Sequence, residues 1–348
     1  MAVETIDQAR LPFAFDVARL ESAQDAAAAI RDMVVRGAPL IGATAAYGIC
    51  LGLRADTSDT HLEQLALELI ATRPTAVNLV WAVERLRRVL RPLPPKQRSE
   101  AAYREAALLC EEDVATNEAI GRYGLPLIEQ IWRATGSSRP VEILTHCNAG
   151  WLATVDWGTA LAPIYKAQAA GIPVHVWVDE TRPRNQGASL TAWELAQAGI
   201  PHHLIADNTG GYLMQKGQVD LCLVGTDRTT ATGDVCNKIG TYLKALAAAD
   251  TGVPFYVALP SSTIDWSLTD GVREIPVEER DPEEVLRIRG KDETGRVCSI
   301  GIAPASTPAC NPAFDITPAR LVTGLITERG ICPATGTGLH HLFPEGGP

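Results

Sequence analysis

Hydrophobic positions in the first third of the chain recur with helical spacing. Residues 23–35 form an alanine-rich segment that predicts a helix ending at Arg36-Gly37-Ala38-Pro39. Residues 75–90 predict a second helix, which should end at the prolines from position 92 onward because proline cannot continue a helix. Residues 99–121 predict a third, longer helix that extends toward the rest of the chain. The N-terminal part is therefore predicted to be helical.

From residue 141 onward, short apolar runs alternate with helical patterns. The runs predict strands and the intervening segments predict helices: strands at 141–145, 174–178, 202–206, 219–224 and 255–259, and helices at 151–170, 188–198, 208–216 and 240–249. Turns of the type Gly-x-Pro precede several of these strands. This alternation is typical of parallel βαβ units. We therefore expect an α/β protein, with a helical N-terminal domain (residues 1–120) and a Rossmann-like parallel-sheet C-terminal domain (residues 121–348).

Composition and net charge limit the kinds of ligand that the protein is expected to bind. The 348 residues include 46% hydrophobic and 21% charged residues, which is ordinary globular usage. Lys and Arg number 31 and Asp and Glu 41, so the net charge is −10. That sum argues against nucleic-acid binding, which needs a basic surface, but leaves room for a small phosphorylated ligand.

The sequence also bears on location and cofactors. The first ten residues are polar, and the longest apolar stretch, 38–53, is shorter than the roughly 18 residues of a membrane span. Eight cysteines without a C-x-x-C pair favour a reducing, cytoplasmic setting and no membrane association. Neither G-x-G-x-x-G nor G-x-x-x-x-G-K-[ST] is present, so the predicted sheet is no evidence for NAD or ATP and we expect no cofactor.

Three predicted strand ends carry most of the reactive side chains. They are the segments 146–150, 179–187 and 225–238. Ligands of an open parallel sheet bind beyond the carboxyl ends of its strands, so these loops should meet at one edge. The three loops together indicate a functional site, whereas any one of them alone would be weak evidence for it.

Two residues in these loops are candidate catalytic groups. Cys147 lies between a predicted strand and a predicted helix, where the helix N-terminus would lower the thiol pKa; the alternative is one more buried cysteine. Asp227 directly follows a strand, and in a dry cleft its carboxyl would be a proton donor near neutral pH. The alternative for Asp227 is a loop carboxylate that pairs with Arg228.

Several further residues are candidates for binding an anion. Asn237 and Lys238 precede a predicted helix, although a lysine is more often a surface residue. Arg36 and Arg73 stand on turns beside proline and suit bidentate phosphate contact; the alternative is a helix C-terminal arginine. Gly37 would let the backbone approach an anion. The pairs His202-His203 and His340-His341 lack zinc-site spacing, so no metal is expected.

These residues fall in motifs by which the chain resembles the methylthioribose-1-phosphate isomerases of methionine salvage. The resemblance extends from about residue 36 to residue 332, and its motifs are Arg36-Gly-Ala-Pro-Leu-Ile-Gly42, Arg73-Pro-Thr-Ala-Val-Asn-Leu79, Leu144-Thr-His-Cys-Asn-Ala-Gly150, Glu180-Thr-Arg-Pro-Arg-Asn-Gln-Gly187, Gly233-Asp-Val-Cys-Asn-Lys-Ile-Gly-Thr241, Glu274-Ile-Pro-Val-Glu-Glu-Arg280 and Asn311-Pro-Ala-Phe-Asp-Ile-Thr-Pro318. The family shares its fold with regulatory subunits of translation initiation factor 2B, which generally lack the paired Cys and Asp, and with ribose-1,5-bisphosphate isomerases. Thr226, Thr232 and Cys236 depart from the usual family residues. The two threonines leave the substrate preference open.

The resemblance implies conversion of 5-methylthioribose 1-phosphate to 5-methylthioribulose 1-phosphate. It assigns Asp227 as the proton donor and Cys147 as a base or a transition-state stabiliser. It also implies a homodimer without a cofactor, and a set of residues that hold the phosphate and sugar hydroxyls: Arg36, Gly37, Ala38, Arg73, Gln186, Asn237 and Lys238. The related alternatives are a 5-deoxyribose 1-phosphate or ribose 1,5-bisphosphate isomerase, and a non-catalytic regulatory subunit.

Overall fold

The computed structural model describes residues 2–73 and 75–346. Its N-terminal part is an antiparallel pair of short strands followed by five helices: β1 (Val3–Ile6), β2 (Val17–Leu20), α1 (Ala23–Arg31), α2 (Ala38–Gly52), α3 (Asp59–Ile70), α4 (Val77–Leu90) and α5 (Pro95–Ala134). The apolar helix α2 packs against α1, α4 and α5 at the centre of this part. One hydrophobic core, from Leu20 to Leu109, fills the space between the helices.

Helix α5 joins the helical part to the rest of the chain. Leu109 belongs to the N-terminal core, whereas Ile120 and Ile128 on the same helix belong to the core beneath the main sheet. Pro126 lies inside this helix. The predicted helix 99–121 is therefore too short at both ends. The predicted domain boundary at residue 120 falls within α5 and stays a prediction.

The remaining chain alternates strands and helices. Its elements are β3 (Val141–Thr145), α6 (Ala162–Ala169), β4 (Val174–Asp179), α7 (Ala192–Gln197), β5 (His202–Ile205), α8 (Thr209–Gln215), β6 (Leu221–Val224), β7 (Arg228–Thr230), β8 (Val235–Lys238), α9 (Thr241–Thr251), β9 (Phe255–Ala258), β10 (Ile264–Asp265), α10 (Gly271–Glu274), α11 (Glu283–Leu286), β11 (Arg287–Lys291), β12 (Val297–Gly301), β13 (Phe314–Thr317), β14 (Gly324–Thr327), β15 (Gly330–Cys332) and α12 (Gly336–Leu342).

In the described part of the chain, a sheet of seven strands has the order β15-β14-β9-β6-β3-β4-β5. All neighbours pair in parallel except β15, which is antiparallel to β14. A smaller sheet, β10-β7-β8-β13, lies beyond it, and β11 and β12 form a separate hairpin. The predicted α/β class, with a helical N-terminal part and a Rossmann-like parallel sheet, is confirmed.

Several local predictions are wrong. Helix α1 ends four residues early, and Met33 then adopts a left-handed backbone with φ of 58°. The predicted helix 151–170 is a short 3₁₀ turn at Trp151–Ala153, an irregular segment and then α6. The predicted loop 225–238 contains β7 and β8. Within the described ranges, no helix combines the length and apolar character needed to cross a membrane.

Candidate active site

The candidate site lies at the point where the strand order of the main sheet reverses. After β3 the chain adds β4 and β5 on one side, and then returns to place β6 on the other side of β3. Parallel sheets bind ligands in the crevice at such a reversal, beyond the strand carboxyl ends. The loops after β3 and β6 meet there, since a Cβ on Gly225 would lie only 2.7 Å from that of Ala149.

These loops and the N-terminal part line one cavity. All the residues predicted for catalysis and for binding line it: Arg36, Gly37, Ala38, Arg73, Cys147, Gln186, Asp227, Asn237 and Lys238. The cavity thus brings together residues that are up to 202 positions apart (238 − 36) in the sequence. Their individual roles remain predictions. Pro74, which follows Arg73 in its motif, lies outside the described residues.

Cys147 is held in an uncommon backbone conformation. Its φ of 64° is left-handed, and the hydroxyls of two threonines fix it: the Cys147 amide donates to Thr181 Oγ1 at 2.8 Å, and Thr191 Oγ1 donates to the Cys147 carbonyl at 2.6 Å. A non-glycine residue in this region persists only where its surroundings impose it. The fixed backbone aims the thiol into the cavity that Cys147 lines.

The prediction that a helix N-terminus lowers the Cys147 pKa is wrong. The segment that follows is the 3₁₀ turn rather than an α-helix. Burial raises the pKa of the thiol, although Arg36 and Lys238 act in the opposite direction. The thiol is therefore held in its protonated form.

Asp227 is a partly buried residue in the loop that follows β6. Burial raises its pKa, against the lowering effect of the cations Lys238, Arg73 and Arg36. Its neighbour Arg228 instead binds the carbonyl of Thr75 and lies 3.5 Å from Asp265. The alternative of a loop carboxylate paired with Arg228 is therefore wrong. A protonated carboxyl in this position can donate a proton near neutral pH.

The N-terminus of α2 forms one wall of the cavity. Gly37 caps it with φ of 94°, and a Cβ on Gly37 would lie 2.4 Å from the Ala153 Cα and carbonyl oxygen. Ala38 is the first residue of α2, and Arg36 directly precedes Gly37. The alternative of a helix C-terminal arginine is thus wrong for Arg36, which stands where a helix N-terminus favours an anion.

Three cations face the cavity from different parts of the chain. Arg36 donates to Asn148, and Arg73 lies 2.9 Å from Glu278. Lys238 is buried at the end of β8, where burial lowers its pKa and Cys147 and Asp227 raise it, so the alternative of a surface lysine is wrong. Together with the α2 N-terminus, these cations give the cavity the character of an anion site.

The amide residues supply further hydrogen-bonding groups. Asn237 Nδ2 donates to Thr241 Oγ1 at 3.0 Å. Gln186 is buried, and its Oε1 has no partner among the residues that the structure describes. An unpaired acceptor beside the cavity is available to a ligand hydroxyl. Thr226 also lines the cavity, whereas Thr232 bonds to the Thr269 carbonyl away from it.

Sequence reasoning missed a buried network behind the cavity. Glu194 on α7 accepts hydrogen bonds from Asn148 Nδ2 at 2.8 Å and from Tyr165 Oη at 2.8 Å. It also accepts from the backbone amides of Trp151 and Leu152. Glu194 is the only charged residue of the predicted helix 188–198, and an isolated acidic group in an apolar helix is the signal that would have identified it.

His146 connects the loop after β3 to its neighbours. Its Nδ1 lies 2.8 Å from Asp179 Oδ2, and its Nε2 lies 2.8 Å from the Ile239 carbonyl. His146, Asp179 and Asp207 could in principle ligate a metal. However, the Lys244 ammonium lies 3.2 Å from Asp179 Oδ2 and also bonds to the Asp207 carbonyl. The Lys244 ammonium therefore already provides, beside these carboxylates, the positive charge that a metal ion would bring.

The arrangement places a carboxyl group of raised pKa beside an anion-binding wall in one cavity. The acid is Asp227, the neighbouring thiol is Cys147, and the wall is formed by the cations and the α2 N-terminus. Such a site can hold a phosphorylated ligand and transfer a proton to it.

Comparisons with known proteins agree with this chemistry. The sequence model of the initiation factor 2 subunit family matches residues 34–334. Methylthioribose-1-phosphate isomerase of Methylobacterium nodulans is 65% identical over 99% of this chain and 94% of its own, and that of Rhodospirillum rubrum is 62% identical over 100% and 90%.

Solved structures show the same relationship. The 5-methylthioribose 1-phosphate isomerase of Pyrococcus horikoshii OT3 superposes with a TM-score of 0.84 at 40% identity, covering 99% of this chain and 94% of its own. A structure described as translation initiation factor eIF-2B subunit delta, from A. fulgidus, gives 0.79 at 40% identity, with 98% and 96% covered. Both similarities extend over nearly the whole of each chain.

Proposed function

Because this chain belongs to the initiation factor 2 subunit family, and within it to the methylthioribose-1-phosphate isomerases, we infer that it is an aldose–ketose isomerase of methionine salvage. Its substrate is 5-methylthioribose 1-phosphate and its product is 5-methylthioribulose 1-phosphate. The observation that carries the site assignment is the single cavity in which Cys147 and Asp227 face three cations.

The chemical difficulty of this substrate explains the need for an acid. Phosphate on the anomeric oxygen prevents the sugar ring from opening to the free aldehyde. Asp227 protonates the ring oxygen, and the bond between that oxygen and C1 breaks, which leaves positive charge at C1. The raised pKa of Asp227 supports this role because it shifts the carboxyl toward its protonated form.

The hydrogen on C2 must then reach C1. The raised pKa of the Cys147 thiol disfavours a thiolate base and supports a hydride shift from C2 to C1, beside the neutral thiol. The charge then lies on the C2 oxygen, whose proton passes to the Asp227 carboxylate and restores the acid. C1 gains the hydride that C2 loses, so the reaction needs no redox cofactor.

The phosphate is assigned to the cationic wall. Arg36, Arg73 and Lys238 supply charge, and the backbone at Gly37 and Ala38 supplies the N-terminus of α2. Gln186 and Asn237 are assigned to the sugar hydroxyls.

A second cavity supports an apolar group at C5 rather than a second phosphate. It adjoins the first at Met33, Arg36 and Gln186 and has Leu11, Phe13 and Leu190 in its wall. Of its own arginines, Arg184 is paired with the Glu284 carboxylate, whereas Arg287 and Arg289 bond only to neutral groups. The preference for an apolar group therefore rests on the three apolar side chains, and the comparison with ribose 1,5-bisphosphate tests it.

The test is turnover by the purified protein, with the ketose product followed by NMR. We expect 5-methylthioribose 1-phosphate to be converted faster than 5-deoxyribose 1-phosphate, and ribose 1,5-bisphosphate least. Asp227→Asn serves as the matched inactive control. Absence of turnover, together with calorimetric binding of these sugar phosphates, would overturn the proposal and favour a regulatory subunit.

The proposal includes a cytoplasmic homodimer. The free thiols of all eight cysteines support a reducing compartment. Tyr212 on α8 and Leu243 on α9 are 56% and 59% exposed on two helices that pack together, and this apolar face supports contact with a second copy. Light scattering should give twice the chain mass, and Leu243→Glu should reduce it to the monomer; a monomeric wild type would contradict the dimer.

A further inference from the structure

The motif Glu274-Ile-Pro-Val-Glu-Glu-Arg280 has no part in the proposed chemistry, yet the structure fixes it beside the cavity. Its backbone pairs with the segment before β13: the Ala313 amide donates to the Glu278 carbonyl at 2.8 Å, and the Arg280 amide donates to the Asn311 carbonyl at 2.9 Å. Phe314, which follows this segment, lines the cavity. The motif is thus held at a defined position relative to the site.

Glu278 directs its carboxylate to two arginines. Arg73 Nη2 lies 2.9 Å from Glu278 Oε2, and Arg280 Nη1 lies 2.7 Å from Oε1. The Arg73 side chain is only 10% exposed and comes from the connection between α3 and α4, 205 residues from Glu278. Arg73 Nε has no partner within the described residues and remains available as a donor.

Further ion pairs connect Glu278 to residues on the side away from Arg73. Arg280 Nη2 lies 3.0 Å from Glu284 Oε1, which Arg184 Nη1 also approaches at 2.7 Å. The result is an alternating series of charges that ends at the cavity with Arg73. Burial raises the pKa of Glu278, but Arg73 and Arg280 outweigh it and the pKa lies below its ordinary value. The carboxylate is therefore ionised at neutral pH.

We propose that Glu278 is a positioning residue: it holds the Arg73 guanidinium in one orientation for the substrate phosphate, and its charge offsets the cations around Asp227. This inference rests on the proposed isomerase function. Lys238, Arg73 and Arg36 all lower the pKa of Asp227, whereas Glu278 raises it, and Cys147 lies within reach of the same group of charges. Without the negative charge of Glu278, Asp227 would lose its proton at a lower pH.

The test compares three substitutions at this position. Glu278→Gln keeps an acceptor for Arg73 but removes the charge, so the pH above which kcat falls should move to a lower value. Glu278→Ala also frees Arg73, so KM should rise about tenfold in addition, the scale of one charge-assisted hydrogen bond. Glu278→Asp retains the charge and should restore the pH profile. A residue that only supported the fold would not shift that profile.

Glu279→Gln is the matched control. Glu279 accepts from the Asn311 amide at 2.7 Å and belongs to the same backbone ladder, so this variant should keep the wild-type pH profile and KM. If Glu278→Gln and Glu278→Ala both kept the wild-type pH profile and KM, the inference would be overturned. Turnover by the wild type would still support the proposed function. If the wild type shows no turnover, calorimetry with inorganic phosphate decides: Glu278→Ala should bind it about tenfold more weakly, and equal affinity would overturn the inference.

Discussion

Arg36 binds both carbonyl oxygens of Asn148: its Nη1 donates to the side-chain Oδ1, and its Nη2 lies 2.7 Å from the main-chain oxygen. The contact joins the residue before α2 to the residue after Cys147. Asn148 is itself fixed, because its Nδ2 donates to Glu194 Oε1 at 2.8 Å. The guanidinium is therefore oriented by the protein before any ligand arrives, which reduces the entropy lost on binding.

We expect Arg36→Lys to raise KM for the sugar phosphate by about 10- to 100-fold. Lysine keeps the charge but cannot make two parallel contacts with Asn148, so the cation loses its fixed orientation. Steady-state kinetics measure this effect. Arg85→Lys is the control, since Arg85 forms ion pairs with Glu105 and Glu112 outside the cavity. Equal KM values for the wild type and Arg36→Lys would contradict the assignment.

We expect Asp227→Asn to reduce kcat at least ~100-fold, the scale of a general acid, while calorimetry still detects substrate binding. Asparagine has the same shape but cannot donate the proton. Wild-type turnover should fall as pH rises through the raised pKa of Asp227, because only the protonated form is active. Asp265→Asn, which removes a partner of Arg228 outside the cavity, should retain activity. An active Asp227→Asn variant would exclude this acid.

We expect Cys147→Ser to lower kcat by about 100-fold, the scale of losing one group that stabilises transition-state charge, because a hydroxyl is less polarisable than the sulfur beside C1. Exposed Cys310→Ser is the unaffected control. Because burial keeps the thiol protonated, a hydride shift should carry hydrogen directly from C2 to C1. Ketose formed in D₂O should therefore contain no deuterium at C1 by NMR. Deuterium at C1 would instead show that the hydrogen exchanges with solvent and would overturn the hydride shift.

The sequence predicted five strands of the main sheet, β3, β4, β5, β6 and β9, because these are short apolar runs separated by local turn signals, but it missed β14 and β15. β3 was predicted with its observed bounds, and the loops after β3 and β6 then followed from the topology of parallel sheets. Cys147 and Asp227 were located by this argument. Local sequence also indicated Arg36, Gly37, Arg73, Asn237 and Lys238 as anion-binding candidates, and the resemblance added Ala38 and Gln186. The common cavity also required the N-terminus of α2 and the connection between α3 and α4 to pack over this edge of the sheet, which local patterns do not report.

The errors arise where long-range contacts decide the structure. The segment 225–238 was taken for a loop because β7 and β8 are short and largely polar. They form a local hairpin, but the second partner of β8, β13, is about 80 residues away. The surroundings of Cys147 depend on burial by α2, which local spacing at residues 146–150 does not reveal. The role of Glu278 could likewise not be predicted locally, because its partner Arg73 is 205 residues away in the sequence.

A pH-dependent stability is expected from Asp113 on α5. Burial raises its pKa to about 6, although the Val155 amide donates to its Oδ2 at 2.7 Å. The folded state therefore binds more protons than the unfolded state between about pH 4 and pH 6, so this group lowers stability as pH rises through that range. Asp113→Asn should be more stable than the wild type at pH 8, by on the order of 1–2 kcal/mol, and equal to it below pH 4.

Urea unfolding at pH 4 and pH 8 measures this difference, and Asp220→Asn provides a control of opposite sign. Asp220 accepts from Arg139 at 2.6 and 2.7 Å and from the Glu142 amide; burial raises its pKa, but these donors outweigh it and the pKa lies below its ordinary value. Its stabilisation is present at pH 8 and is lost as pH falls through the folded pKa, so Asp220→Asn should destabilise most at pH 8. Asp113→Asn should raise the free energy of unfolding at pH 8 and Asp220→Asn should lower it. If both substitutions changed it in the same direction, the raised pKa of Asp113 would not explain the effect.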